Sequence, residues 1–238
     1  MIKTSLPIAV AFSTVALTSL VTPDWAHAAG MIPETSVVIV NESDGETSIN
    51  VKNSDDHPAL LYSNIQGIEG DNENLIVLTP PVTRVEAGET QLVRFILQSP
   101  KPLDVQRLRR VTFEGITPKD NSPGMRVSMN VRQNLPVIIN PKGLAKDREP
   151  WLRLKWSVSG SKLVVDNPSA YVVRLAQSVN ILPSNTSVQL PQTYILPRQK
   201  FELELPAEGA RNALSVRLYP ATVYGYAVDS YEAQLEKK

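Results

Sequence analysis

The stretch Ile76-Val77-Leu78-Thr79-Pro80-Pro81-Val82-Thr83-Arg84-Val85-Glu86-Ala87-Gly88-Glu89-Thr90-Gln91-Leu92-Val93-Arg94-Phe95-Ile96-Leu97 decides the fold. It opens on Ile76 and Leu78, two residues apart, breaks at paired prolines and an Ala-Gly turn, and resumes as an apolar run from Leu92 to Leu97. Residues two apart share one face of a strand, so this spacing belongs to strands and not to helices. Proline is kept out of helix interiors and sits at strand ends, edges and turns. The stretch therefore reads as strands separated by turns.

Working outward, the same pattern recurs on both sides. Val37 and Ile39 alternate with Val38 and Val40, Ile49 pairs with Val51, and Leu163 to Val165 forms another run, with Pro, Gly, Asn and Asp clusters between them. Short strands about 8 to 12 residues apart with such turn signals predict an all-β sandwich or barrel. Nineteen prolines agree with this, and no segment has the periodicity of an amphipathic helix. After the apolar strand carrying Leu135, Val137, Ile138 and Ile139 comes Asn140-Pro141-Lys142-Gly143, and a new strand pattern begins at Trp151. That Pro-Gly break is the domain boundary. The expected units are residues 29–143 and 144–238.

The beginning of the chain reads differently. Lys3 precedes an apolar run from Leu6 to Val21, followed by Ala26-His27-Ala28. A basic residue, a short apolar core and a small-x-small site make a secretory signal peptide over residues 1–28. The core is too short and too rich in hydroxyl residues to span a membrane, so no membrane insertion is expected. Lys3 and Asp24 cancel, and the mature chain keeps a formal charge of zero. Neutrality gives no electrostatic basis for binding nucleic acid. There is no cysteine, so the fold is held by its core alone and thiolate chemistry is excluded.

Catalysis and metal binding find little support. His57 is the single histidine after the leader and lies in Asn53-Ser54-Asp55-Asp56-His57-Pro58, a stretch with the composition of a turn. Sequence neighbours do not make a triad, and no nucleophile elbow is present. With one histidine and no cysteine only carboxylates could ligate a metal, and no metal or cofactor site is expected. Glu69, Asp71 and Glu73 cluster around Gly67 and Gly70 and read as an exposed hairpin tip able at most to hold a cation weakly.

The segment Arg126-Val127-Ser128-Met129-Asn130-Val131-Arg132-Gln133-Asn134-Leu135 carries more. Val127, Met129, Val131 and Leu135 fall on one strand face, and Arg126, Ser128, Asn130, Arg132 and Asn134 on the other. This pattern fits an ordinary half-buried strand. It also fits an edge strand whose apolar row is lent to a partner, with main-chain hydrogen bonds supplying affinity.

Leu78-Thr79-Pro80-Pro81-Val82-Thr83-Arg84-Val85-Glu86-Ala87-Gly88 followed by Leu92-Val93-Arg94 resembles the signature of the periplasmic pilus assembly chaperones of the chaperone-usher pathway. The alternating strand 127–135 running into Val137-Ile138-Ile139-Asn140-Pro141, and Asn167-Pro168-Ser169-Ala170-Tyr171-Val172 in the second half, are similar to the same family in order and spacing. The resemblance implies two immunoglobulin-like β-sandwich domains in a boomerang arrangement. It also implies a non-enzymatic role in the periplasm: binding pilus subunits by donating the strand that carries Val127, Met129, Val131 and Leu135, and delivering them to an outer-membrane usher. An uncovered subunit groove would aggregate, and a lent strand covers it.

Two basic residues that in the family grip the subunit's terminal carboxylate correspond to Ser36 and Pro136 here, and Asn140 and Val223 stand where the family has interdomain charges. Arg132, on the strand face of position 136, and Arg174, following the Asn167-Pro168 motif, are the candidate carboxylate anchors. A structural β-sandwich surface protein, such as a pilus subunit or adhesin, is the competing reading. A periplasmic enzyme or solute binder is a third, and it would need a pocket the sequence does not nominate.

Overall fold

A computed structural model describes residues 30–117, 131–222 and 226–237. The expected signal peptide, Val127 and Met129 of the donor row, and Val223 lie outside the described residues.

The first half supplies nine strands: β1 (Met31–Pro33), β2 (Val38–Asn41), β3 (Glu46–Asn53), β4 (Ala59–Gln66), β5 (Ile76–Thr79), β6 (Val82–Val85), β7 (Thr90–Leu97), β8 (Arg107–Ile116) and β9 (Arg132–Asn140). One sheet has the order β1-β3-β7-β5 and the other β2-β9-β8-β4-β6. All pairs are antiparallel except β2 with β9, which run parallel. The stretch 76–97 thus crosses from one sheet to the other and back. Its middle strand, β6, is four residues long with only Val85 buried, so it carries almost no period-2 signal. The first crossing passes through a cis Thr79–Pro80 bond. The turn after β6 needs Gly88, whose φ of 74° is open to glycine and costly for a side chain.

Inward residues of the two sheets meet in one core. Leu61, Val93, Phe95, Val111, Phe113, Val137 and Ile139 are fully buried there. Each such side chain contributes roughly 1.5 to 3 kcal/mol through loss of apolar surface from water, which lets the fold stand without a disulfide. Asn53 is buried at the end of β3 and its amide donates to the carbonyls of His57, Val85 and Glu86. Those bonds tie the turn containing His57 to the end of β6. His57 itself sits in that exposed turn between β3 and β4 against Asp56.

Arg109, on the inward face of β8, is 2% exposed. Its guanidinium donates to the carbonyls of Glu73 and Leu108 and to the Asp71 carboxylate. Arg107 grips Asp71 as well and reaches Glu73. The segment 69–73 is therefore not a tip of loose carboxylates, because Asp71 fastens it to β8 through two arginines. Burial pushes the Asp71 carboxyl up, but Arg107 and Arg109 outweigh it and hold the group well below the usual carboxylate range.

The second half supplies β10 (Lys155–Ser159), β11 (Lys162–Asp166), β12 (Val173–Leu175), β13 (Ser178–Leu182), β14 (Thr186–Gln189), β15 (Tyr194–Ile195), β16 (Lys200–Glu204), β17 (Ser215–Leu218), β18 (Pro220–Ala221) and β19 (Tyr231–Lys237). A large sheet ordered β14-β13-β17-β19-β10-β11-β16 faces a small one ordered β15-β12-β18. Trp156, Leu163, Val165, Val173, Ile181, Val216 and Leu218 fill the space between them. Asn167 repeats the role of Asn53, donating to the carbonyls of Tyr171, Ile195 and Leu196.

The two sandwiches meet through apolar and neutral polar contacts. Val37, Leu108 and Ile138 of the first pack with Val172 of the second, and Tyr194 and Leu196 close the rim. Beside this cluster the buried Gln106 accepts from Val172 N–H at 2.8 Å and donates to Asn140 Oδ1 at 2.8 Å. Its own N–H donates to the Ala170 carbonyl. Asn140 passes the chain on to Asn41 Oδ1 at 3.0 Å. Every side chain in this relay is an uncharged amide. Asn140, which stands where the resemblance leads one to expect a charge, is its middle member.

Two predictions follow from these buried polar groups. Asp71→Asn should cost about 3 kcal/mol at neutral pH, because it leaves Arg109 buried without its carboxylate. A group whose folded pKa is depressed contributes above its ordinary value, about 4, and loses that contribution as the pH falls below it. Urea melts compared across pH should therefore show the deficit narrowing in acid, and a pH-independent deficit would assign the loss to packing. Gln106→Ala should cost about 2 kcal/mol by leaving the Val172 N–H and the Asn140 carbonyl oxygen unpaired, and it should split a single calorimetric transition into two. A single transition with an unchanged midpoint would refute the coupling.

Candidate functional site

Strand β9 changes neighbours along its length. It pairs with β8 from Arg132 to Ile139, whereas β2 joins its other side only from Val137 to Asn140. Among the described residues nothing pairs with that other side from Val131 to Pro136. The ladder changes at Pro136, which has no N–H to donate. The result is a half-strand with one sheet neighbour and one open edge.

The side chains along β9 alternate as the sequence predicts, with consequences for each candidate. Leu135 is buried in the first core. Val131, on the same parity but one residue before the strand, is 37% exposed. A groove of about 570 Å³ runs beside this edge, lined by Ile32, Glu34, Ser36, Gln133, Leu135 and Tyr226 among others. Tyr226 reaches it from the second half and is 70% exposed. Ser36, one of the two positions where the resemblance expects a basic residue, thus lies in the groove wall with a small neutral side chain.

On the opposite parity, the outer face of β8 and β9 forms a column of cross-strand pairs: Leu108 with Ile138, Arg110 with Pro136, Thr112 with Asn134, and Glu114 with Arg132. Leu108 and Ile138 belong to the interdomain cluster, so the column starts at the second domain and leads away from it. Arg132 lies at the far end, donating through Nε and Nη2 to Glu114 Oε2 at 2.9 and 2.6 Å, and is 58% exposed. Arg174 lies at the near end, on β12, in register with Tyr194. Burial lowers its pKa, and Arg110 lowers it further by like-charge repulsion.

The sequence reading did not nominate Arg110. Its Nε donates to Asn134 Oδ1 and its Nη2 to the Asn134 carbonyl, both at 2.8 Å. Burial depresses its pKa while Tyr194 opposes that. Arg107, Arg109 and Arg110 look alike in sequence. Only the parity of β8 separates the two that hold Asp71 from the one on the outer face. Farther along that face Leu60, Tyr62, Val82 and Ile116 form an exposed apolar patch, Tyr62 opposite Val82 and Leu60 opposite Ile116. Among the described residues no group of three or more acidic or histidine side chains is placed to hold a metal ion.

Comparison with known proteins gives this geometry a family. Residues 30–145 match the pili and flagellar-assembly chaperone PapD N-terminal domain, and residues 149–231 match the pili assembly chaperone PapD C-terminal domain. The chain is 45% identical over 212 residues to the uncharacterized fimbrial chaperone YhcA of Escherichia coli, covering 88% of this chain and 92% of that one. It is 26% identical over 187 residues to the chaperone protein caf1M of Yersinia pestis, covering 69% and 70% of the two chains. Among solved structures, the Salmonella enterica SafB chaperone in complex with the SafA pilin is similar with a TM-score of 0.70 at 20% identity, covering 88% of this chain and 98% of that one. The E. coli chaperone DraB is similar with a TM-score of 0.68 at 22% identity, covering 87% and 98%. The chain belongs to the pilus assembly chaperone family, and its two sandwiches have the two-domain fold of that family.

Proposed function

We infer that this chaperone captures pilus subunits in the periplasm by lending them the edge of β9, and passes them to an outer-membrane usher. The observation that carries the reading is the unpaired side of β9 over residues 131–136 beside an open groove. A monomeric protein has little reason to keep an exposed strand edge unless a partner completes it. Main-chain hydrogen bonds along such an edge bind a strand of almost any sequence, and alternate side chains filling pockets make the choice. The row Val127, Met129 and Val131 is the set that would fill a subunit's groove, whereas Leu135, expected to join it, is buried in the chaperone's own core. The solved SafB chaperone, which shares the fold, is in complex with a pilin, and this supports the same class of partner here.

In this reading residues 29–143 lend the strand and residues 144–238 form the far wall of the cleft. Of the two candidate anchors for the subunit's terminal carboxylate, Arg174 lies at the end of the column nearer the second domain. Arg132 is already held by Glu114 at the outer end of the column. The usher surface is assigned to the apolar patch of Leu60, Tyr62, Val82 and Ile116, which lies toward the opposite edge of the sheet from the open side of β9 and leaves that side available for the subunit. The competing reading, a structural pilin or adhesin, is not favoured, because both halves match chaperone domains along their length.

Val131→Asp is the test. Val131 is 37% exposed in the free chain, so its replacement should move the melting temperature little. In a complex the carboxylate would be buried unpaired, at a cost of roughly 3 kcal/mol or more, about a hundredfold in affinity. Co-expression with fimbrial subunits, followed by purification of the complex, should recover the cognate subunit with the wild type and almost none with the variant. Normal capture by a folded Val131→Asp protein would refute strand donation.

A further inference from the structure

The groove beside the open edge of β9 is built almost wholly by the first domain. Residues 32–36 and the β9 residues Gln133, Asn134 and Leu135 line it, and among the described residues Tyr226 alone comes from the second domain. Strand pairing sets how Tyr226 arrives there. β18 is paired with β12 in the small sheet, and directly after it the chain turns back, with Ala221 bridged to Ala227 and the Val228 N–H donating to the Pro220 carbonyl. Within that turn the Thr222 N–H donates to the Tyr226 carbonyl at 2.8 Å, and the Tyr226 N–H donates to Thr222 Oγ1 at 3.1 Å. Both main-chain polar groups of Tyr226 are therefore held.

Its side chain is not. At 70% exposure it stands farther into water than any other large apolar or aromatic side chain among the described residues, and it belongs to neither core nor to the interdomain cluster. A fixed main chain that holds an aromatic ring in water is the free form of an interface anchor. Tyrosine offers a large contact area with only two side-chain torsions to order, and it is enriched among the residues that carry binding energy.

We propose that Tyr226 is the second domain's contact for the guest strand, packing on an apolar side chain of that strand and so helping to choose which strand is held. The proposal rests on the strand-donation reading and adds to it a specificity residue from the other domain. The rest of the groove sets the chemistry of the guest residue. Ile32, also largely exposed, is the second apolar side chain offered there. Glu34 is the one acidic residue in the lining, and its carboxylate already accepts from the Asn50 N–H at 2.8 Å and from Asn50 Nδ2 at 3.0 Å. No lysine or arginine lines the groove. An acidic guest side chain would lose water there and gain no cation, whereas an apolar one removes its own surface and that of the ring from water together.

The probe is a synthetic peptide of about ten residues in which valine and threonine alternate, as the two faces of a strand do. It is acetylated and amidated so that neither end is charged, and it is made also as a series in which each valine in turn becomes alanine. Titrated against the chain from Ala29 onward, the parent peptide should bind Tyr226→Ala about tenfold more weakly than the wild type. Tyr226→Phe keeps the ring and should bind as the wild type does. All three proteins should melt at the same temperature, because the side chain packs in neither core. Combining Tyr226→Ala with the alanine series gives a double-mutant cycle at every valine. A coupling of about fivefold at one valine, and none at the valines distant from it, identifies the guest residue that meets the ring. Tyr226→Trp supplies a direct signal. Trp151 and Trp156 are both buried, so a change in emission on adding peptide comes from the new indole and should be a shift to the blue. Equal affinity of the wild type and Tyr226→Ala, absence of coupling at every valine, or unshifted emission overturns the role of Tyr226 while peptide binding leaves strand donation standing. Failure of the parent peptide to bind the wild type overturns both.

Discussion

Pro136 cannot donate a main-chain hydrogen bond, and the parallel ladder between β2 and β9 begins at the next residue. That one change of neighbour divides β9 into two halves with different duties. Beyond Pro136 the strand has sheet neighbours on both sides, its inward residues Val137 and Ile139 are completely buried, and Ile138 on the other face packs into the interdomain cluster. Before it, the strand has one neighbour and one open edge. Most of the buried side chains of β9 lie in its inner half, so the outer half can take on a second neighbour without the core being rebuilt.

An exposed edge invites pairing with any passing strand, including a second copy of the same chain. The surroundings of β9 temper this. Arg132, Gln133 and Asn134 interrupt the apolar run, and Pro136 removes a donor. The apolar side chains available to a partner are therefore confined to the end of the strand away from the interdomain cluster, while its near end offers charge. A strand added to this edge therefore meets apolar side chains of β9 only at the end away from the interdomain cluster.

Much of this was legible in the sequence, for identifiable reasons. Alternating apolar residues, prolines and the Asn140-Pro141-Lys142-Gly143 break report on local geometry, which neighbouring residues determine. The period-2 face of β9 was readable in its outer half, where exposure alternates from Arg132 to Leu135; from Leu135 to Ile139 both faces are buried and the alternation is lost. β6 escaped notice because a four-residue strand with one buried side chain leaves no period to detect. Glu69 and Glu73 are exposed as expected, but Asp71 was misread as solvated because the two arginines that bind it lie more than thirty residues away. Arg110 was missed for a related reason. Its role depends on which face of β8 it occupies and on a second domain packed against that face, and neither is a property of its neighbours in the chain.

The two kinds of buried polar network serve different ends. Within the first domain the ionic group of Asp71, Arg107 and Arg109 is partly or wholly shielded and gives a geometry that does not need to move. Between the domains the chain uses amides, Gln106, Asn140 and Asn41, whose hydrogen bonds keep their strength as pH and salt vary because no member carries a charge to titrate or screen. Arg110 lies on the outer face of this junction, donating to Asn134. The neutral relay fixes a baseline orientation that is independent of the medium.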